Sequence, residues 1–306
     1  MKKYLGESAL LLNTIIWGAT FVIIKSALND SSPMLFLGTR FLIAFLIFSP
    51  FVPKILKGIN KKTFWGGILL GFLFFLGFAT QTFGLKYTSA TKSGFISGTF
   101  VVFIPFLQFF IEKKVPSKMN LLGVLFVFIG LIFLSSKGQN FLDIFSEIGS
   151  NFNVGDFLTL LCSILFALYM VYLDKISREN PFMPLVILQI FMTGLCAFLV
   201  SAFNFTFNLE KLHFNLTLNL IFALLYTSIL ATILTTTMQT KFQKVVTPTK
   251  AGIILSLEPI CAALAAFLLL GEKVSNFGFI GCILIFTGLL VTEILEKRIK
   301  NKHEQR

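Results

Sequence analysis

Ten stretches of this sequence are each apolar over about the twenty residues that an α-helix needs to cross a bilayer. They fall at residues 8–28, 33–52, 65–85, 92–112, 119–136, 156–174, 182–203, 215–238, 250–270 and 276–293. No globule can bury so many. Only 13% of the 306 residues are charged, against about a quarter in soluble domains, so too little polar surface would remain to cover a core. In hydrocarbon every backbone N–H and C=O must find its partner within the chain, and helices satisfy this segment by segment. The sequence therefore specifies an all-α polytopic membrane protein with ten transmembrane helices. The first stretch lacks a small-residue cleavage site and leads directly into further spans, so it reads as a retained helix and not a signal peptide. Ser32 before Pro33, and Asn180 before Pro181, each place a cap residue ahead of a proline at the first helical position, which marks two helix starts.

The formal net charge of +12 does not call for nucleic acid, because position explains it. With the N-terminus inside, nineteen Lys and Arg residues fall in the tails and inward loops. Six fall outside (Lys25, Lys86, Lys92, Lys137, Lys211 and Lys273), and Arg40 lies within a span. That asymmetry is the positive-inside pattern, and it puts both termini in the cytoplasm of a protein of the cell (inner) membrane. The basic tail then lies beside anionic lipid headgroups. Cys162, Cys196, Cys261 and Cys282 are dispersed inside spans without paired spacing. They read as small apolar fillers and imply neither a disulfide nor a metal site.

One polar passage occurs twice. QTFGLKYTSATKSG at 81–94 returns as QTKFQKVVTPTKAG at 239–252, with Gln81/Gln239, Thr82/Thr240, Lys86/Lys244, Thr91/Thr249, Lys92/Lys250 and Gly94/Gly252 identical at an offset of 158. The same offset relates Gly123 to Gly281 and Gly130 to Gly288, and Glu112-Lys113 corresponds to Glu272-Lys273 with a slip of two residues. The chain therefore divides into a first repeat (residues 1–136, spans 1–5), an outer linker (137–155), a second repeat (156–293, spans 6–10) and a basic cytoplasmic tail (294–306). Five spans is an odd number, so the second copy enters the membrane from the opposite face. Two inverted five-helix repeats are a mark of secondary transporters, whose solute site lies near the midplane between the halves. In the linker, Phe141, Leu142, Phe145 and Ile148 share one helical face, which suits either a short interfacial helix or a disordered connection.

TSATKSGFISGTFVVFIPFLQ (88–108) and LEPICAALAAFLLLGE (257–272), with WGATFVIIK (17–25) and the Arg40 of TRF, resemble EamA-type carriers of the drug/metabolite transporter superfamily. The resemblance runs through both repeats, roughly residues 8 to 293. It implies ten helices, a central cavity between two five-helix halves, and export or exchange of small metabolites without ATP. Such carriers move amino acids, drugs and other solutes, so the resemblance names no cargo.

The residues themselves exclude several activities. The two histidines, His213 and His303, fall in a loop and in the tail, and the chain has no HExxH, GxSxG or GxxxxGK[ST]. Neither an enzyme nor an ATP-driven pump is indicated, and no cofactor is implied. Uphill transport would draw on an ion gradient such as protons, or on a counter-substrate. Polar stripes mark faces turned away from lipid: Asn13, Trp17 and Thr20 in span 1, Gln189, Thr193 and Cys196 in span 7, and Ser228, Thr232, Thr235 and Gln239 in span 8. With Gln81 they are candidates for the wall of a solute cavity, the alternative being polar bonds between helices. Gly67/Gly71 and Gly94/Gly98 are GxxxG pairs suited to close helix approach, and Pro105 and Pro259 interrupt spans 4 and 9.

Two charges lie at membrane depth. Glu258 is about 12 Å from the inner boundary and Arg40 about 10 Å from the outer one at the helical rise. About 8 Å of a roughly 30 Å core then separates them, which long side chains bridge if the helices are neighbours. Glu258 is a counter-charge or proton acceptor in transport, or a structural carboxylate at the break before Pro259; its repeat position holds Phe100 or Gly98. The 39 phenylalanines do not by themselves name an aromatic cargo.

The sequence thus reads as a secondary transporter that exports or exchanges a small amino-acid-like or amphiphilic metabolite by alternating access. The alternatives are a sugar-phosphate or nucleotide-sugar exchanger, which needs several cations converging in the cavity, and a non-transporting membrane enzyme or sensor. The charge asymmetry predicts that reporter fusions after Lys62 and after Lys302 read out as cytoplasmic, and a fusion near Asn151 as external. An external readout at either of the first two sites contradicts the ten-span topology.

Overall fold

In the computed structural model, residues 2–135, 152–271 and 275–304 are described. Each of the ten apolar stretches is helical over most of its described length. Eight helices are long and apolar enough to cross a membrane: α1 (Tyr4–Ala27), α2 (Pro33–Leu56), α3 (Lys61–Tyr87), α4 (Ala90–Glu112), α6 (Val154–Glu179), α7 (Phe182–Thr206), α8 (Leu218–Val245) and α9 (Pro248–Leu269). Two more, α5 (Lys118–Phe133) and α10 (Asn276–Val291), are apolar but shorter. The described residues contain no β-strand, only an isolated bridge between Ser31 and Phe214. The expected interfacial helix around Phe141–Ile148 lies outside the described residues, as do Glu272 and Lys273.

Local chemistry sets the helix ends. Asn60, Ser89, Thr217 and Thr247 each accept a hydrogen bond from the backbone N–H three residues on, which satisfies a donor that the first turn leaves without a partner. Asn153 and Asp156 form a reciprocal capping box at the start of α6. Ser32 and Pro33 begin α2 as the sequence suggests, although the Ser32 hydroxyl bonds away from the helix, at 3.1 Å from His213 Nδ1. Asn180 plays a different part. Its Nδ2 donates to Ile176 O at 2.8 Å and its Oδ1 accepts from Thr63 Oγ1 at 2.7 Å, so it closes α6 against α3 while Pro181 precedes α7.

Helices α4 and α9 are both broken. In α9, Pro248–Leu255 gives way to Glu258–Leu270 at Ser256 and Leu257. In α4, Ala90–Gly98 gives way to Phe100–Glu112 at Thr99. Pro105 is thus inside a continuous helical segment, and the interruption stands upstream of it. Proline removes a donor and crowds the carbonyl four residues earlier, here Val101 and Leu255, so each chain yields just before or just after that carbonyl. Tight bonds three residues apart carry the turns, Thr99 N to Ile96 O at 3.1 Å and Leu257 N to Ile254 O at 3.2 Å. The two breaks occupy corresponding positions of the sequence repeat.

Packing is made by small residues where helices meet. Helix α3 lies against α6 and α7, α2 against α7, α1 against α9, α4 against α6, and α5 against α10. A Cβ on Gly67 would lie 2.6 Å from Leu188 Cβ, and one on Gly98 would lie 2.7 Å from Pro259 Cγ. Both GxxxG pairs therefore seat neighbouring helices. At the α5–α10 contact the repeat-related glycines face one another: a Cβ on Gly130 would come within 2.8 Å of Gly281 O, and one on Gly288 within 2.7 Å of Gly123 O.

No rotamer of a larger residue relieves a clash with backbone at the Cβ itself. We therefore expect Gly130→Leu and Gly288→Leu each to cost about 1–3 kcal/mol, lowering the thermal unfolding midpoint in detergent by similar amounts. An unchanged midpoint for either variant contradicts the close α5–α10 contact.

Candidate functional site

The candidate site is a cavity bordered by six helices. Trp17 and Thr20 come from α1, Phe74, Phe78 and Gln81 from α3, Ser97 and Phe100 from α4, Phe166, Tyr169 and Met170 from α6, Gln239 from α8, and Leu255 and Glu258 from α9. Both helix breaks border it, since Ser97 and Phe100 flank one and Leu255 and Glu258 flank the other. The offset of 158 relates Gln81 to Gln239, Ser97 to Leu255 and Phe100 to Glu258. A second offset of 149 relates Glu7 to Asp156 near the starts of α1 and α6, Trp17 to Phe166 and Thr20 to Tyr169. Much of the lining therefore consists of corresponding positions in the two halves.

The wall is held in place by hydrogen bonds and ring contacts. Trp17 Nε1 donates to Ala231 O at 3.1 Å, and Tyr169 Oη donates to Gln189 Oε1 at 2.7 Å. Phe74 stacks on Tyr169 at 4.7 Å between centroids, meets Phe78 edge-on at 4.5 Å, and Phe78 meets Phe166 at 5.2 Å. Such edge and offset contacts are the favoured aromatic geometries.

Of the residues expected at the site, Trp17, Thr20, Gln81, Gln239 and Glu258 line this cavity. The others tie helices together around it. Asn13 Nδ2 donates to Thr235 O at 3.1 Å, Gln189 Oε1 accepts from Tyr169 Oη of α6 at 2.7 Å, and Ser228 Oγ donates to Arg40 O at 2.9 Å. The α8 stripe divides because the middle of α8, Tyr226–Leu234, is wound as a π-helix. Its wider turn displaces successive side chains from the face that ordinary helical spacing gives.

Arg40 belongs to this framework. Its Nε donates to Thr232 Oγ1 at 2.8 Å and a terminal nitrogen to Ala231 O at 2.9 Å. Its Cζ sits 4.7 Å from the Phe78 ring centroid and 5.3 Å from that of Phe41, within range of cation–π attraction. Neutral dipoles and rings thus solvate the buried guanidinium. Among the described residues no ion pair joins it to Glu258: depth alone put the two charges within reach, while direction around the helix axes sends Arg40 to α8. Glu258, at the first turn of its helix segment, has a carboxylate favoured there by the helix dipole.

The aromatic members Phe74, Phe78, Phe100, Phe166 and Tyr169 were not singled out by the sequence. A signal did exist for Phe166 and Tyr169, which correspond to Trp17 and Thr20 in the second half.

Lysines close the two ends of the bundle. Lys92, in the first turn of α4, pairs with Asp156 of α6 at 2.7 Å, and the second Asp156 oxygen accepts from Thr88 Oγ1 at 2.7 Å. Lys250, in the first turn of α9, pairs with Glu7 of α1 at 2.8 Å. Helix order puts these pairs at opposite ends. Lys86–Glu210 at 2.7 Å shares one end, and Lys62–Glu179 the other. Between α1 and α2, Asp30 accepts hydrogen bonds from Asn219 at 3.1 Å and Thr217 at 2.7 Å, which hold its carboxyl below the usual range. No group of three or more His, Cys, Asp or Glu able to hold a metal ion occurs among the described residues.

Comparisons with known proteins agree with this architecture. The model of the EamA-like transporter family matches residues 4–136 and 153–294. An uncharacterized transporter of Archaeoglobus fulgidus is 34% identical over 295 residues, covering 96% of this chain and 87% of its own. The uncharacterized transporter YyaM of Bacillus subtilis is 25% identical, with 94% and 93% covered. A crystal structure of a protein superposes with a TM-score of 0.71 at 16% identity, over 95% of this chain and 98% of that one, which shows a shared fold.

Proposed function

We propose that this chain, which belongs to the EamA-like transporter family, is a ten-span secondary carrier that moves a small amino-acid-like or amphiphilic metabolite by alternating access. The two halves, residues 1–136 and 156–293, act as inverted five-helix repeats joined by the 137–155 linker. Both termini and the 294–306 tail lie in the cytoplasm, the protein sits in the cell (inner) membrane, and the physiological direction is export or exchange.

One observation carries this reading: a single cavity is lined by corresponding residues of the two halves and is flanked at opposite ends by corresponding lysine–carboxylate pairs. Two mirror-related arrangements of such a bundle open the same site to either side. The Lys92–Asp156 pair closes one end and the Lys250–Glu7 pair the other, and each has to part when its end opens. Breaks in α4 and α9 beside the cavity give those helices a place to flex.

The rival exchange of sugar phosphates needs cations facing the cargo, and no lysine or arginine is among the residues lining the cavity. An enzymatic role is not favoured, because Glu258 is the one carboxylate in the lining and no histidine or cysteine joins it. A proton or a counter-substrate supplies the driving force, with Glu258 as the group that senses it.

Metabolite profiling of medium from cells overexpressing or lacking the protein identifies the solute, and counterflow in liposomes then measures its exchange. Glu258→Gln is expected to abolish counterflow at unchanged abundance and thermal midpoint. Wild-type uptake is expected to respond to an imposed pH gradient, and the variant is not. Equal gradient responses in both proteins remove Glu258 from coupling, and a fall in stability that matches the fall in activity assigns it to structure.

A further inference from the structure

We infer that the cavity selects its cargo by positive charge, and that the solute is an organic cation: an amine or ammonium group, bearing N–H donors, on an apolar or aromatic body. The inference rests on the proposal that this cavity is the solute pathway, and it narrows the class of metabolite.

Acceptors and cations in the cavity do not balance. The Glu258 carboxylate, which lines the cavity, has no hydrogen bond or ion pair among the described residues. Gln239 lines it too, is 1% exposed, and leaves its buried Oε1 without a hydrogen-bond partner. Both groups are acceptors. Among the described residues no cationic side chain lines the space, and the nearby guanidinium of Arg40 already serves Thr232, Ala231 and the Phe78 ring. The lysines at the two ends are likewise engaged, Lys92 with Asp156 and Lys250 with Glu7.

A carboxylate in a low-dielectric pocket calls for a counter-charge, and an amide oxygen cut off from water calls for a donor. An ammonium group supplies both in one atom, through charge-assisted N–H bonds. The walls suit the same ligand. Trp17, Phe74, Phe100 and Phe166 surround the space with rings whose faces are electron-rich and attract cations, and they cover the apolar body that carries the charge. A zwitterion would bring a carboxylate for which the cavity holds no free cation. An anion would meet Glu258 directly, and such like-charge contact without a partner is costly.

Four probes of one shape separate these cases: phenethylamine, phenylalanine, 3-phenylpropionate and 2-phenylethanol. Their binding is measured by equilibrium dialysis on the purified full-length chain in lipid nanodiscs at constant pH and salt. The amine is expected to bind at least about tenfold more tightly than the other three, the scale of a charge-assisted bond plus a desolvated cation–π contact. Glu258→Gln should weaken the amine about tenfold by the same reasoning and leave 2-phenylethanol unchanged. Gln239→Met, which removes the second acceptor at similar volume, should weaken the amine by a smaller factor, and it provides the test should the Glu258 variant fail to fold. Phenylalanine or phenylpropionate binding as well as the amine overturns the inference, as does amine binding indifferent to both substitutions, or binding of none of the four. The first two outcomes leave the transport proposal standing if Trp17→Ala weakens whichever probe binds. Absence of all binding reaches the transport proposal as well only if the counterflow described above also fails.

Discussion

Two partly buried ion pairs tie one half of this protein to the other, and most of the arrangement depends on them. Lys92 and Lys250 stand in the first turns of α4 and α9, where the helix dipole disfavours a cation. Each is stabilised by a carboxylate from a helix in the other half, Asp156 in the first turn of α6, where the dipole favours an anion, or Glu7 near the start of α1. Asp156 is wholly buried and Lys250 is 3% exposed, so removing Lys92 or Glu7 leaves a buried charge without its partner, which is destabilising. The lysines therefore fix where α4 and α9 begin, and those starts set the two helix breaks against the cavity. The same constraint explains why a greasy chain writes one polar passage twice. Within each copy, Ser89 or Thr247 caps the helix, Lys92 or Lys250 crosses to the other half, and Gln81 or Gln239 reaches the cavity.

Around this frame, membrane burial dictates how polar groups are used. Hydrocarbon gives no partner to a free carbonyl, and α8 turns that demand into an anchor. Its π-wound middle places Ala231 O where Trp17 and Arg40 both donate to it. One carbonyl thus couples α1, α2 and α8, and through Arg40 it also supports the Phe78 ring in the cavity wall. Glu258 stands apart from this economy. Among the described residues Arg40, Asp156 and Lys250 meet their partners within the protein, whereas the Glu258 carboxylate faces the cavity.

Much of this was legible in the sequence. The apolar stretches locate the helices because length and hydropathy are one-dimensional properties. The repeat predicts which residues correspond, since a duplicated chain keeps its spacing, and it pairs Gln81 with Gln239 in the cavity wall; Trp17 was marked by its polar stripe and Glu258 by its charge at membrane depth. What failed was direction. Ser228 and Thr232 share the cavity face only at ordinary helical pitch, and in the π-wound segment they bond to Arg40 of α2. Arg40 and Glu258 are close in depth, but azimuth separates their partners. The cavity rings were hidden for another reason: Phe74 and Phe78 are chemically the same as the outward-facing Phe72 and Phe110, and a chain with 39 phenylalanines gives composition no way to tell a wall from a lipid contact.

The central claim is that one cavity is reached alternately from two sides, and accessibility at its two ends tests it most directly. In a background with the four native cysteines replaced, single cysteines at positions 81 and 239 are challenged with a membrane-impermeant thiol reagent from each side. The account predicts that position 81 reacts from outside and position 239 from inside, each mainly when its own end is open, and that saturating transported solute changes both rates. Slow labelling at both positions, unaffected by solute, would mean that these amides merely tie helices together and would contradict the account.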